Sequence, residues 1–454
     1  MKPVLVVGGG IAGIQASLDL ANRGMKVHLV ERMPSIGGVM AQLAHLCLHA
    51  SASCAIAARE REFATIDCCN CILTPKMMEC FRHPNITIHT QSEISKFEGS
   101  VGDFDVKILK YPRSVDEKKC TGCSLCSDKC PVKGTSVFQA ELGTRKAIYI
   151  AFPQAVPQIA TIDRETCLWF TNGECRICEK ICPMKAVDFE QKPKELKLNV
   201  SSVILATGFE LYNPKEIGEY GYGRYKNVLT SLEFERLVCA SGPTGGVLNR
   251  PYDGHIAKNI AFVQCVGSRT HTQGYPYCSA SCCMYATKEA VLIKEHEPSS
   301  NVSIFYIDIR TFGKGYQGFV DLAKNHWGVK YIRGRPGEIR EDPLTKNLII
   351  HYEDTEKGRV EQLEAEMVVL CTAAIPHRDN KKLAPILGTR LDEFGFFDVM
   401  DPILNPVETN IKGIYVCGSC HGPRDIPESI AEASAAAAKA AVDTIGPTVE
   451  LKTW

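Results

Sequence analysis

The sequence has no charge to spare: 52 Lys and Arg are matched by 52 Asp and Glu, a formal net charge of +0. Such a balance offers no electrostatic footprint for nucleic acid or for an anionic membrane surface. It also lacks a long hydrophobic run. No stretch reaches the roughly 18 apolar residues of a bilayer-crossing helix. The first residues, Pro3-Val4-Leu5-Val6-Val7, enter a strand with no cleavable apolar segment ahead of them. A cytoplasmic chain with no direct membrane span and no nucleic-acid partner is therefore expected. At 454 residues it is too long for one simple core, and about two or three domains are expected.

What the sequence has in excess is cysteine. There are 22, and without an export signal they argue for thiolate ligands to metal in a reducing compartment, against a disulfide scaffold. Within 119–185, Cys120-x2-Cys123-x2-Cys126-x3-Cys130-Pro131 is followed by Cys167-x7-Cys175-x2-Cys178-x3-Cys182-Pro183. This is the bacterial ferredoxin run, in which the last cysteine of each copy ligates the other cluster. The expected assignment is crossed: Cys120, Cys123, Cys126 and Cys182 on one [4Fe-4S] cluster, Cys167, Cys175, Cys178 and Cys130 on the other. Structural zinc also uses C-x2-C pairs, but three close thiols plus a remote Cys-Pro, given twice, favour iron. The wide gap at 168–174 reads as an expanded loop.

A second cysteine-rich stretch holds Cys47, Cys54, Cys68, Cys69, Cys71 and Cys80. Cys68 and Cys71 are close enough to share a metal, and Cys47 with Cys54 completes four ligands. The plain alternative is buried free cysteines, which pack as small hydrophobes.

The chain opens as strand, Gly8-Gly9-Gly10-Ile11-Ala12-Gly13, helix to about residue 23, and a second strand ending at Glu31. Gly8, Gly10 and Gly13 make G-x-G-x-x-G between a strand and a helix. Such glycines let backbone approach a pyrophosphate at the helix N-terminus, and the acid accepts from ribose hydroxyls. Glu31 continues into Arg32 and on to Gly37-Gly38, an E-x6-G-type continuation that resembles two-dinucleotide-binding-domain flavoproteins and favours FAD over NAD. Val203-Ile204-Leu205-Ala206-Thr207-Gly208 is similar to their second FAD fingerprint, and residues 410–419, ending Cys417-Gly418-Ser419, to their third. In those proteins an Asp usually follows the last glycine; here Ser419 replaces it. Ala12, Gly418 and Ile426, the start of an Ala-rich helix expected over 426–445, join the candidate FAD contacts.

A further absence carries the most information. The strand at 259–264 should feed a second glycine loop if this were a pyridine-nucleotide oxidoreductase, but the chain reads Cys265-Val266-Gly267-Ser268-Arg269. Two of the three glycines are gone, and with them close backbone approach to a second pyrophosphate. Thiols stand there instead: Cys265, Cys278, and Cys282-Cys283 opening a helix expected over 282–296, where the dipole favours anions. An iron-sulfur cluster is expected in place of a nicotinamide.

The expected fold is α/β: a thioredoxin/glutathione-reductase-like flavoprotein with two dinucleotide-binding domains and an inserted α+β two-cluster ferredoxin domain. The expected segments are 1–110, 196–254 and 376–454 for the FAD domain, 111–195 for the insert, and 255–375 for a degenerate NAD-like domain carrying a cluster. The rivals are a self-contained NAD(P)H-dependent flavin reductase, and a dithiol reductase using Cys282-Cys283 or Cys417-x2-Cys420.

The thiols of 265–283 with Lys288, the run Asp67-Cys68-x2-Cys71-Ile72-Leu73-Thr74-Pro75-Lys76, the segments 220–225, 241–246 and 308–315, and Gly422-Pro423-Arg424-Asp425-Ile426-Pro427 together resemble HdrA, the iron-sulfur flavoprotein of heterodisulfide reductase. The likeness covers nearly the whole chain. It implies a flavin hub in an electron-transferring complex, in some members an electron-bifurcating one. It places Lys288 near the reactive flavin nitrogen as the catalytic candidate, and the Cys265 cluster as the nearest electron partner. It implies FAD and three [4Fe-4S] clusters, or four if the Cys47–Cys71 region binds iron. The implied partners are other subunits of an oligomeric complex and a ferredoxin, hydrogenase or dehydrogenase donor. Members from methanogens carry a further N-terminal cluster domain and a C-terminal ferredoxin domain. The shorter layout is also similar to flavin subunits of quinone-interacting and sulfur-metabolism complexes that need not bifurcate.

Overall fold

The computed structural model describes residues 1–44 and 72–445. Cys47, Cys54, Cys68 and Cys71 lie outside the described residues. The chain divides into two compact units, one of Met1–Ala41, Ile72–Phe209 and Pro376–Trp454, the other of Gln42–Cys71 and Glu210–Ile375.

In the first unit, Val4–Val7 is apolar at every position because it is the middle strand of a sheet covered on both faces. The sheet is parallel, in the order Ile414–Val416, Ser202–Leu205, Val4–Val7, Val27–Val30, Ile86–His89. An antiparallel sheet of Lys194–Val200, Asp103–Lys110 and Ser92–Ser100 packs its apolar face, Phe104, Val106 and Ile108, into the same core as Leu5, Val203 and Ile414. The helix Ile426–Ile445 lies on Ile11–Asn22. Its buried face is Ala433, Ala436, Ala437 and Ala440, and such small side chains bring helix axes close.

The inserted segment belongs to this first unit and has its own core of Val115, Ile148, Ile162, Ala186, Val187 and Phe189. Its two halves each contribute a short helix, Leu125–Lys129 and Ile177–Ile181, which pack together. The halves are also joined by a Val115–Val187 bridge. This approximate twofold repeat mirrors the duplicated cysteine run.

The second unit repeats the architecture of the first. Its parallel sheet runs Val228–Thr230, Met367–Thr372, Asn259–Val266, Asn301–Tyr306, Lys330–Arg333, beside an antiparallel sheet of Pro336–Glu341, Leu348–Asp354 and Arg359–Ala365. Asn259–Val266 therefore holds the place that Val4–Val7 holds in the first unit, and the helix Cys282–His296 the place of Ile11–Asn22. The segment expected to be FAD-binding over 196–254 divides at Phe209. Val228–Thr230 pairs with Met367–Thr372, and Thr230 caps the following helix, Ser231–Val238, in a capping box with Glu233. Pairing to a distant strand, not chain proximity, decides where 210–254 belongs.

Candidate functional site

The glycine loop of the first unit is shaped for close approach. Gly8 has φ +108, and a Cβ there would lie 2.2 Å from the Ala206 carbonyl oxygen; a Cβ on Gly13 would lie 1.8 Å from the Gly8 oxygen. Gly10, at the N-terminus of Ile11–Asn22, has nothing within 4 Å of its Cβ position. Two glycines let strand and helix meet, and the third leaves open space at a helix N-terminus, where an anion is favoured. Gly38 packs on Gly10, and Gly37 donates its N–H to the Gly9 oxygen at 2.7 Å. Gly418, φ +69, faces Ala12, so the third fingerprint closes on the first. Thr207 donates to Asn380 at 3.0 Å, and Gly208, φ +73, faces open space. Ile426 opens the helix Ile426–Ile445. The loop fits a dinucleotide.

Glu31 accepts the Gly9 N–H and the Met33 N–H, each at 2.7 Å, leaving further lone pairs for hydroxyls. Burial outweighs these bonds and pushes its carboxyl upward. Arg32 is paired with Asp379 and lies 3.2 Å from His377 Nε2. Ser419, where related flavoproteins carry Asp, donates to the Arg424 carbonyl at 3.4 Å. The acid of this turn is Glu432, which accepts from the Gly418 N–H at 3.0 Å and the Arg424 Nε at 2.7 Å, and lies 2.9 Å from His421. Glu432 and Asn380 were not singled out from sequence, since neither falls in a glycine motif; only distant pairing reveals them. Cys417 and Cys420 are wholly buried, and the Cys420 thiol donates to the Leu205 oxygen at 3.2 Å. Burial pushes the Cys420 thiol up to about 12, so this C-x2-C packs as neutral thiols. It lacks the thiolate and the access of a redox pair.

In the insert, Cys120, Cys123, Cys126 and Cys182 line one pocket, with Ile148 and Ala186 among its walls. Cys182 reaches it from the far copy, and its sulfur accepts the Ala186 N–H at 3.3 Å. Around the other helix, Cys167 and Cys178 are buried in the insert's core with Cys130 packed against it. Burial, then the charge of Cys167, pushes the Cys178 thiol up to about 12. Cys175 is partly exposed. Among the described residues no three Cys, His, Asp or Glu converge as ligands of a single ion would. A cubane takes each thiolate at a different corner, so its ligands line a pocket from several sides.

In the second unit the loop after the central strand runs from Gly267 to Ser281 where the first unit has three glycines. It folds back on itself through Tyr275 N–H to Gly267 O at 2.9 Å and Arg269 N–H to Tyr277 O at 3.0 Å. Ser279 anchors it by accepting the Ala374 N–H at 3.0 Å. Gly267, φ +75, faces the Tyr212 ring, which a Cβ would meet at 2.3 Å. Cys265 sits at a bulge with φ +58, a conformation a non-glycine residue adopts at a cost. It, Cys282 and Cys283 are each at most 3% exposed. Cys282 bridges the other two by hydrogen bonds. Its hydrogen bond, aided by the Arg269 guanidinium, draws the Cys265 thiol down to about 6. Cys278, partly exposed, accepts the Ala280 N–H at 3.4 Å. Buried thiols with one in thiolate form are the donor set that iron takes. No glycine cradle remains for a pyrophosphate.

Lys288, two turns along Cys282–His296, is buried and ion-paired with the buried Glu235, which also accepts the Ala44 N–H at 2.9 Å. Burial would raise Glu235; the Lys288 charge and its hydrogen bonds overcome this and hold it low. Beside it Glu289 is driven well above the carboxyl range, by burial first and then by the charge of Glu235. Lys288 is thus no solvated helix lysine. Glu235, Glu289 and the Arg269–Asp308 pair went unnoticed in the sequence because they lie far from any motif spacing.

Residues 3–63 match the FAD dependent oxidoreductase family and residues 113–133 the 4Fe-4S binding domain. In fold, the chain is similar to thioredoxin reductase of T. acidophilum, at 15% identity and TM-score 0.50 over 98% of this chain and 99% of that one. In sequence it is 47% identical over 441 residues to the iron-sulfur protein HdrA of the CoB--CoM heterodisulfide reductase of Methanocaldococcus jannaschii, covering 97% of this chain and 64% of that protein. It is 44% identical over 449 residues to the HdrA component of the H(2):CoB-CoM heterodisulfide,ferredoxin reductase of Methanothermobacter thermautotrophicus, covering 99% of this chain and 65% of that protein. The chain thus spans just under two thirds of the length of these curated relatives. With such identity along nearly all of its own residues, this chain belongs to the HdrA family of heterodisulfide reductase iron-sulfur flavoproteins.

Proposed function

We propose that the chain is the FAD- and iron-sulfur-carrying electron-transfer subunit of a heterodisulfide-reductase-like complex, an oxidoreductase passing electrons among its cofactors and partner subunits. The observation that carries this is the contrast between the units: one keeps its glycine cradle, while the other has buried Cys265, Cys282 and Cys283 at the equivalent loop. FAD exchanges one or two electrons and each cluster one.

The chain's own residues hold these groups. Gly8, Gly10 and Gly13 with the Ile11–Asn22 N-terminus receive the pyrophosphate, Glu31 the ribose, and Ala206, Thr207, Gly208, Gly418 and Ile426 the rest of the dinucleotide. Cys120, Cys123, Cys126 and Cys182 hold one [4Fe-4S] cluster, Cys167, Cys175, Cys178 and Cys130 a second, and Cys265, Cys278, Cys282 and Cys283 a third. A fourth is assigned to Cys47, Cys54, Cys68 and Cys71. Lys288 supplies a fixed cation held by Glu235, and its role at the flavin rests on the resemblance. Electrons enter or leave through the insert and through partner subunits, from a ferredoxin, hydrogenase or dehydrogenase donor. The finer reading is that a flavin pair is split between a low-potential and a high-potential branch.

The test is the iron, sulfide and flavin content of anaerobically prepared protein. About twelve to sixteen irons per FAD are expected; about eight would confine iron to the insert and end the Cys265 assignment. Prompt bleaching of the flavin by NADH or NADPH alone would overturn the reading in favour of a self-contained flavin reductase.

A further inference from the structure

The two units differ informatively at the end of the second strand. In the first, Val27–Val30 leads to Glu31, whose carboxylate holds the Gly9 N–H of the glycine loop at 2.7 Å. In the second, Asn301–Tyr306 holds the same sheet position and leads to Asp308. Its partner in the loop after the central strand is Arg269: the two guanidinium nitrogens face the two carboxylate oxygens, one pair at 3.4 Å. Arg310 Nε stands 3.5 Å away on the other side of Asp308. Arg269 has φ +57, a strained backbone held by its neighbours. Its guanidinium is also hydrogen-bonded with the Cys265 sulfur, while Cys283 Sγ lies 3.7 Å from the Asp308 carbonyl oxygen. An acid at the ribose-reading position thus braces a cation against a thiolate.

We propose that Arg269, anchored by Asp308, is a positioning residue for the cluster assigned to Cys265, Cys278, Cys282 and Cys283, donating to the Cys265 sulfur and raising that cluster's reduction potential. The inference rests on that assignment. Reduction adds one electron and breaks no bond. A fixed cation and a hydrogen bond to a ligand sulfur both favour the more negative, reduced form. The Arg269 side chain is 20% exposed and that of Asp308 51% exposed, so solvent screens the carboxylate more than the guanidinium.

The experiment is an anaerobic redox titration of the whole protein followed by EPR, with dithionite as reductant and iron counted in each variant. C265S comes first. A loss of about four irons per chain supports the cluster, whereas unchanged iron overturns the assignment and the inference with it. R269Q is then expected to keep its iron and move one cluster's midpoint to more negative potential, with the insert's clusters unmoved. R269K, which keeps a charge, is expected to fall between R269Q and the parent. D308N, with the guanidinium present but unbraced, should move the same midpoint in the same direction by less. Full iron with an unchanged midpoint in R269Q overturns the proposal and leaves the cluster standing. If R269Q loses iron, D308N decides: a shifted midpoint supports the role, an unshifted one overturns it.

Discussion

Gly13 and Gly10 serve one loop for different reasons, and substitution separates them. A Cβ at Gly13 would lie 1.8 Å from the Gly8 oxygen, while one at Gly10 meets nothing within 4 Å. G13A is expected to destabilise the first unit as well as lose flavin. G10A should melt like the parent yet bind FAD at least several-fold more weakly, measured by flavin absorbance after reconstitution; an unchanged flavin content would place the pyrophosphate elsewhere. Glu289, 1% exposed and with Oε2 lacking a partner, makes a pH prediction. Its carboxyl is held neutral in the fold but ionises in the unfolded chain above its ordinary value of 4.5. Between about pH 5 and pH 8 the folded state therefore binds one more proton, so stability declines as pH rises. E289Q, which mimics the neutral acid, is expected to flatten that decline in thermal melts of the second unit's transition.

At the scale of elements, the Cys282–His296 helix is tied to Ser231–Val238 through Lys288 and Glu235, at 8% and 3% side-chain exposure. Removing one member of a buried pair leaves the other charge uncompensated, at a cost of about 3–5 kcal/mol. K288M is expected to lower the urea midpoint by a corresponding amount, and adding E235Q should recover part of the loss. Additive losses in the double variant would mean that the two side chains are not coupled. The two short helices of the insert make a different prediction. Because Cys182 lines the pocket of Cys120, Cys123 and Cys126, C182S and C120S should abolish the same EPR signal. C130S should abolish the signal that C167S does, each with about four irons lost. C182S sharing its loss with C167S would show an uncrossed pairing.

At the scale of the whole molecule, the cysteine spacings, the first glycine loop and the missing second one were legible because each is a local pattern that a few adjacent residues impose on backbone or metal. The helices 282–296 and 426–445 were readable to the residue for the same reason. The place of 210–254 was not, because Val228–Thr230 takes its identity from a partner over a hundred residues away. Nor were Glu432, Asn380, Glu235, Glu289 and Asp308, whose roles come from side chains brought beside them by the sheets. By itself the sequence determined the kinds of chemistry the chain holds: thiolates in cluster spacing, one glycine cradle, and thiols where a second cradle should be. Only the tertiary structure decided which acids stay charged and which cation braces a thiolate, because burial and distant pairing set the cost of a charge.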